Sequence, residues 1–188
     1  MSDPESEISR LIAGEQVTND ISVAFRTPTA AAEQIKVKYG CALPQMVQHD
    51  DEIEVPSVGE GPPRRLSRST LAEVIRPRYE ELFRFVRKEL HRSDWYDAIA
   101  GGVVLTGAAS MMPGVPELAE EVFELPTRVG PPHEVTGIHD VAHSPAYATA
   151  VGLLIYARSQ HPMRHARGER DGIAYWIERL GSWFRGNF

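Results

Sequence analysis

Glu33 and Lys36 stand three residues apart in PTAAAEQIKVKYG, so a helix there carries a carboxylate and an ammonium on one face. By itself that spacing reads as a solvent-exposed ion pair. A second stretch, GGVVLTGAASMMPG from Gly101 to Gly114, sets an apolar run against small residues. Gly107, Ala108 and Ala109 leave room for a backbone to approach a nucleotide closely. A strand, a small-residue turn and a helix is also where α/β folds place ligands, beyond the strand's carboxyl end. The same small residues equally suit tight packing alone. His139 and His143, and His161 and His165, have the i, i+4 spacing that metals use. Neither pair has a Glu in HExxH order or a third ligand, and no metal site is expected. Phosphate loops of GxxxxGK[ST] type and GxSxG elbows are absent, and these residues assemble no complete catalytic constellation.

Two further surfaces carry charge or apolar area in a pattern. The stretch after Thr70 puts Arg76, Arg78, Arg84, Arg87, Lys88 and Arg92 on one helical side against Glu73, Glu80, Glu81 and Glu89. That mixture is either a solvated face or a groove for an anionic partner. At the end of the chain, Ile173, Trp176, Ile177, Leu180, Trp183 and Phe184 follow intervals of 3, 1, 3, 3 and 1, and Phe188 adds a last apolar side chain. This is one stripe of an amphipathic helix. It either docks on its own domain or lies in a membrane interface, with Trp and Phe at headgroup level. The preceding residues, 158–171, hold Arg158, Arg164, Arg167 and Arg170 with one large hydrophobe, Met163, which is linker composition.

The elements that must position these groups follow from local signals. Val17–Phe25 supports a helix. Thr27-Pro28 opens another, with Thr as cap and Pro in the first turn, and Gly40 can end it. Residues 51–55 and 64–68 alternate as two strands of a hairpin around GEGPP. Thr70 and Glu73 form a capping box for the longest helix, which Pro77 is expected to kink or divide. Val103–Leu105 reads as a buried parallel strand, Val115–Phe123 as a helix and Thr127–Val129 as a short strand. Ser144-Pro145 opens a helix over 146–158 that is apolar nearly all round, hence expected to be buried.

Composition narrows the function classes. A length of 188 residues with 42% hydrophobic and 24% charged content is ordinary for a globular chain. A net charge of −6 argues against general nucleic-acid binding. The single cysteine, Cys41, rules out an internal disulfide and reads as inert. No window approaches the length of a bilayer-spanning helix, and the acidic start is unlike a signal peptide, so membrane contact is expected through the tail, from the cytoplasmic side.

Five blocks in order resemble the C-terminal half of FtsA, the actin-like bacterial cell division family: VTNDISVAFRTPTAAAEQIKVKYGCAL, EVPSVGEGPPRRLSRSTLAEVIRPRYEEL, GVVLTGAASMMPG, SPAYATAVGLLIYA and the Trp-rich tail. The resemblance runs from about Val17 to Phe188, with residues 1–16 outside it. It implies an α/β fold, part of the second lobe of the actin/Hsp70 ATPase superfamily over 17–157, then the linker and an amphipathic helix over 172–188. It also implies an ATP cleft, self-association into filaments, and tethering of FtsZ to the cytoplasmic face of the inner membrane at the septum. By position, Gly107, Ala108 and Ala109 fall on the family's adenosine turn, and Glu33 and Lys36 on the helix flanking the adenine. Arg78, Arg84, Arg87 and Lys88 fall in the subdomain that receives the FtsZ C-terminal peptide, and Ile173 to Phe188 on the anionic membrane surface. Family members carry a second glycine where this chain has Ala108, and a methyl there weakens nucleotide binding if the position needs positive φ. The first actin-like lobe and the hairpin loops that hold phosphates and Mg²⁺ have no counterpart in the sequence. A split or truncated FtsA is therefore expected, with hydrolysis not expected of these residues. An actin-like ATPase and a non-functional remnant are the alternative readings.

Overall fold

The computed structural model describes residues 13–48, 50–59, 61–93, 98–99, 101–133 and 143–160. The chain divides into two compact units, Met1–Val151 and Gly152–Phe188.

In the first unit, helix α1 (Ala13–Phe25) buries Val17, Ile21 and Phe25, spaced four apart on one face. It thus begins upstream of Val17 and crosses residue 16. Helix α2 (Thr29–Tyr39) buries Ala32 and Ile35. Pro28, not Thr27, holds its N-cap position, and no side chain caps it. Thr27 is instead buried, its hydroxyl without a hydrogen-bond partner, because it points inward where a cap would point along the helix. Strands β1 (Glu52–Val55) and β2 (Arg64–Ser67) form the expected antiparallel hairpin, with Ile53 opposite Leu66.

Helix α3 (Arg68–Arg92) starts two residues before Thr70. Ser67 is its cap and accepts from the Thr70 N–H at 3.2 Å, so the expected capping box gives way to a Ser cap. Pro77 lies inside one continuous helix rather than dividing it. It sits on the exposed side, where water can serve the carbonyl that it leaves unbonded. Leu71, Ile75, Tyr79 and Phe83 descend the buried face in steps of four. Phe83 meets Phe123 at 5.4 Å between ring centres, joining α3 to helix α4 (Val115–Phe123).

Strands β3 (Val103–Leu105) and β4 (Thr127–Val129) pair in parallel, with Val104 opposite Arg128. Val103 and Leu105 pack on the core, but Val104 is 50% exposed, so β3 is not buried on both faces as its apolar run suggests. A parallel pair needs a layer on each side, and among the described residues only one side has one. Helix α5 (Ala148–Gln160) follows a 3-10 turn at Pro145–Tyr147 that Ser144 caps through the Ala146 N–H. Val151 is buried.

In the second unit, the described residues Gly152–Gln160 are all exposed, Leu153, Leu154, Ile155 and Tyr156 included. The expectation of a buried helix is corrected here: apolar residues on every side require neighbours on every side, and the described residues supply none.

Candidate functional site

Helix α2 places Glu33 and Lys36 one turn apart, and the side chains meet at 2.6 Å. They are not simply a solvated pair. The Lys36 Nζ also donates to the Gly14 carbonyl at 2.9 Å and to the Thr18 hydroxyl at 2.8 Å, both on α1. The Lys36 side chain keeps only 12% of its exposure, while that of Glu33 keeps 50%. Burial works to raise the Glu33 carboxyl, but the bonds from Lys36 and Thr18 and the Lys36 charge outweigh it and hold the group below the usual carboxylate range. A half-exposed carboxylate fixed beside an ammonium suits acceptance from a ligand's hydroxyl groups.

The turn after β3 approaches the same place. Gly107 has φ 91° and ψ 162°, a conformation essentially closed to residues with a Cβ. A Cβ built there would meet nothing within 4 Å, so open space lies before the turn. Ala108 begins a 3-10 turn, Ala108–Met111, and is not among the positive-φ residues. The methyl at Ala108 therefore carries no backbone strain, and the positive φ falls on Gly107. The turn is held from behind: the Tyr79 hydroxyl donates to the Ala109 carbonyl at 2.9 Å, and the Ser110 hydroxyl donates to the Gly107 carbonyl at 2.7 Å.

A cleft of about 450 Å³ opens between these parts. Glu33, Lys36, Val37, Gly40, Tyr79, Ala108, Ala109 and Met112 all line it. Gly40 is required where it stands, since a Cβ would fall 2.3 Å from the Lys36 carbonyl and 2.9 Å from Met112 Cε. Residues separated by some seventy positions thus line one cleft. Gly107 stands at the cap of the same turn. Tyr79, Thr18 and Gly14 were not singled out from sequence. The signal for Thr18 was a polar residue adjoining Val17 within the apolar stripe of α1. Tyr79 stands in the sequence only as one more residue on the apolar face of α3.

The cations of α3 are largely committed within the molecule. Arg78 pairs with Asp20 and Glu81, Arg84 with Glu80, and Arg87 with Glu124 and the Val122 carbonyl. Lys88 is exposed. Residues 161–188, with the tail stripe from Ile173 to Phe188, lie outside the described residues, as do His139, His161 and His165. Among the described residues no three His, Cys, Asp or Glu side chains gather as a metal site, and no helix is long and apolar enough to cross a membrane.

The fold has solved counterparts. Over 81% of this chain and 46% of the other, it superposes on MreB5 of Spiroplasma citri bound to ADP with a TM-score of 0.60 at 16% identity. A second structure, MreB 5 of Spiroplasma citri bound to AMPPNP, gives 0.55 at 14% identity. Those identities speak for fold alone, and the fold is actin-like. The sequence then places the chain within that class. It matches the family described as cell division protein FtsA over residues 6–152, and it belongs to that family. The match begins ahead of Val17. Cell division protein FtsA of Pseudomonas aeruginosa is 49% identical over 184 residues, and that of Escherichia coli K12 45% over 186. Each alignment covers 94% of this chain and 44% of the relative, so the chain spans less than half the length of the curated relatives it matches.

Proposed function

We propose that the chain serves bacterial cell division as part of an adaptor that holds FtsZ filaments at the cytoplasmic face of the inner membrane, and that its cleft takes the nucleoside end of ATP. Glu33 would accept from the nucleoside's hydroxyls, with Lys36 holding it in place. The turn at Gly107, Ala108 and Ala109 would lie against the nucleoside, its small residues allowing close approach. The apolar wall from Tyr79 and Met112 offers cover for a flat base. ATP, when bound with Mg²⁺, would supply the phosphate charge that an actin-like body closes around. Hydrolysis is not assigned to these residues. In the same reading, the subdomain of α3 receives the FtsZ C-terminal peptide, self-association arrays the chain into filaments, and the apolar stripe of the tail meets the anionic membrane.

The observation that carries the nucleotide reading is the convergence of Glu33, Lys36, Ala108 and Ala109 on one cleft. Its test is a titration of the whole chain with a fluorescent ATP analogue and Mg²⁺. Saturable binding that unlabelled ATP displaces, and that Glu33→Gln and Lys36→Ala each weaken, is the expected result. No saturable binding, or binding indifferent to both substitutions, would overturn it.

A further inference from the structure

Glu33 has somewhere else to go. A second cleft of about 480 Å³ also touches the Glu33–Lys36 pair, lined in addition by Glu15, Thr18, Asn19 and Thr29. Both clefts share Glu33 and Lys36 as a common wall. Lys36 holds Glu33 at Oε2, and a half-exposed carboxylate with room on two sides can still turn about that contact unless a second bond selects one geometry.

Thr18 is placed to do so. It is 4% exposed and comes from α1, a different helix from the pair that it touches. Its hydroxyl oxygen accepts from Lys36 Nζ at 2.8 Å, and the hydroxyl donates to Glu33 Oε2. The Gly14 carbonyl, 3.1 Å away, is the competing acceptor for that one proton. Lys36 has three protons and three acceptors in reach: Gly14 O, Thr18 Oγ1 and Glu33 Oε2. The ammonium is therefore filled, and the carboxylate is the atom group left to meet a ligand.

Building on the nucleotide reading above, we infer that Thr18 is a positioning residue: it sets Glu33 against the vicinal hydroxyls of a bound ribose, and so gives the cleft its preference for ribo- over deoxyribonucleotides. Thr18→Val removes the hydroxyl and keeps the shape, and Thr18→Ser keeps the hydroxyl. Affinities for ATP and for 2′-deoxy-ATP, each with Mg²⁺, are measured on the whole chain. In the unaltered chain ATP binds more tightly than 2′-deoxy-ATP. Thr18→Val weakens ATP about tenfold, the scale of one bond to a charged group, and weakens 2′-deoxy-ATP, which keeps only the 3′-hydroxyl, by less, so the preference narrows. Thr18→Ser restores it. Thr18→Ala, smaller than the native residue, is read in the same way should the Val variant fold poorly. A Val or Ala variant that retains the full preference, or a Ser variant that behaves like Val, overturns the role of Thr18 alone. Failure of the unaltered chain to bind ATP overturns the nucleotide reading, and this one with it.

Discussion

Arg78 holds Asp20 by two bonds, Nε to Oδ2 at 2.7 Å and Nη2 to Oδ1 at 3.0 Å, and so ties α3 to α1. Both side chains keep 25% of their exposure. The Asp20 bond raises the Arg78 guanidinium beyond its ordinary value against the opposing effect of burial. A raised cation stabilises the fold below its unfolded pKa and loses that contribution only as pH climbs past it, so the pair acts at constant strength through the physiological range. Arg78→Ala is expected to lower stability by about 1–2 kcal/mol, discounted for partial exposure. Arg84→Ala, whose side chain is 71% exposed, should cost less than about 0.5 kcal/mol. Urea midpoints of the two variants decide the order.

Lys88 is the remaining cation of the proposed FtsZ-peptide face, exposed where Arg78, Arg84 and Arg87 are engaged. Lys88→Glu should weaken binding of an FtsZ C-terminal peptide several-fold while the urea midpoint stays put, since rim charges affect association more than folding. Fluorescence anisotropy with a labelled peptide reads this directly. Unchanged affinity would leave the face a solvated surface.

Tyr79 links stability to alkaline pH. Burial pushes its phenol up from 10.0 to about 12. The neutral form is favoured in the folded chain, so the contribution is complete below pH 10 and drains away as pH rises from there towards 12. The loss is of order 2–3 kcal/mol, since each tenfold change in an ionisation equilibrium corresponds to about 1.4 kcal/mol. Tyr79→Phe should lose roughly 1 kcal/mol at neutral pH, with the bond to Ala109, yet fall less steeply above pH 10. Chemical denaturation repeated across that range separates the two effects.

Periodicity carries most of the first unit. The steps of four in α1 and α3, the alternation around Ile53 and the cap-and-Pro signal at Ser144 are local, and the structure follows them. Two kinds of information are not local. The composition of α5 points to burial, but burial depends on what lies beside a helix, and Leu153 and Leu154 are exposed. The Glu33–Lys36 pair looks solvated from sequence because its spacing is that of any surface pair. Its second set of partners, Gly14 and Thr18, arrives from another helix. The cap of α3 falls three residues before the expected one because Ser and Thr are both cap types, and it is the Ser67 hydroxyl that accepts the Thr70 N–H.

Gly107 concentrates the backbone demand of the turn after β3. Gly107→Ala should cost about 1–3 kcal/mol in strain alone, because open space leaves nothing for the methyl to strike. Ala108→Gly should change stability by less than about 1 kcal/mol, since residue 108 already holds a helical-type conformation. Thermal unfolding of the two variants distinguishes a turn that depends on Gly107 from one that depends on its neighbour. The reverse order would return the demand for positive φ to residue 108.

The tail stripe makes the last prediction independent of the cleft. Ile173, Trp176, Ile177, Leu180, Trp183 and Phe184 keep helical spacing, and burying each large side chain would gain roughly 1.5–3 kcal/mol. The intervening charges, Arg179 and Arg185 against Glu178, offer little attraction to anionic lipid, so under the proposed membrane reading apolar insertion would supply most of the affinity. In that same reading, one helix of this kind would attach reversibly, and stable tethering would come from many copies arrayed together. Trp176→Glu or Trp183→Glu should therefore cut co-sedimentation with anionic vesicles by about tenfold or more, since each removes one anchor and adds a repelled charge. FtsZ-peptide affinity should be unchanged in both variants, because the proposed reading gives the stripe to lipid and the peptide to α3. Raising salt should weaken the native tail only modestly, whereas removing one aromatic side chain should release it. Sedimentation indifferent to both substitutions would mean that the stripe packs against its own protein rather than a lipid surface.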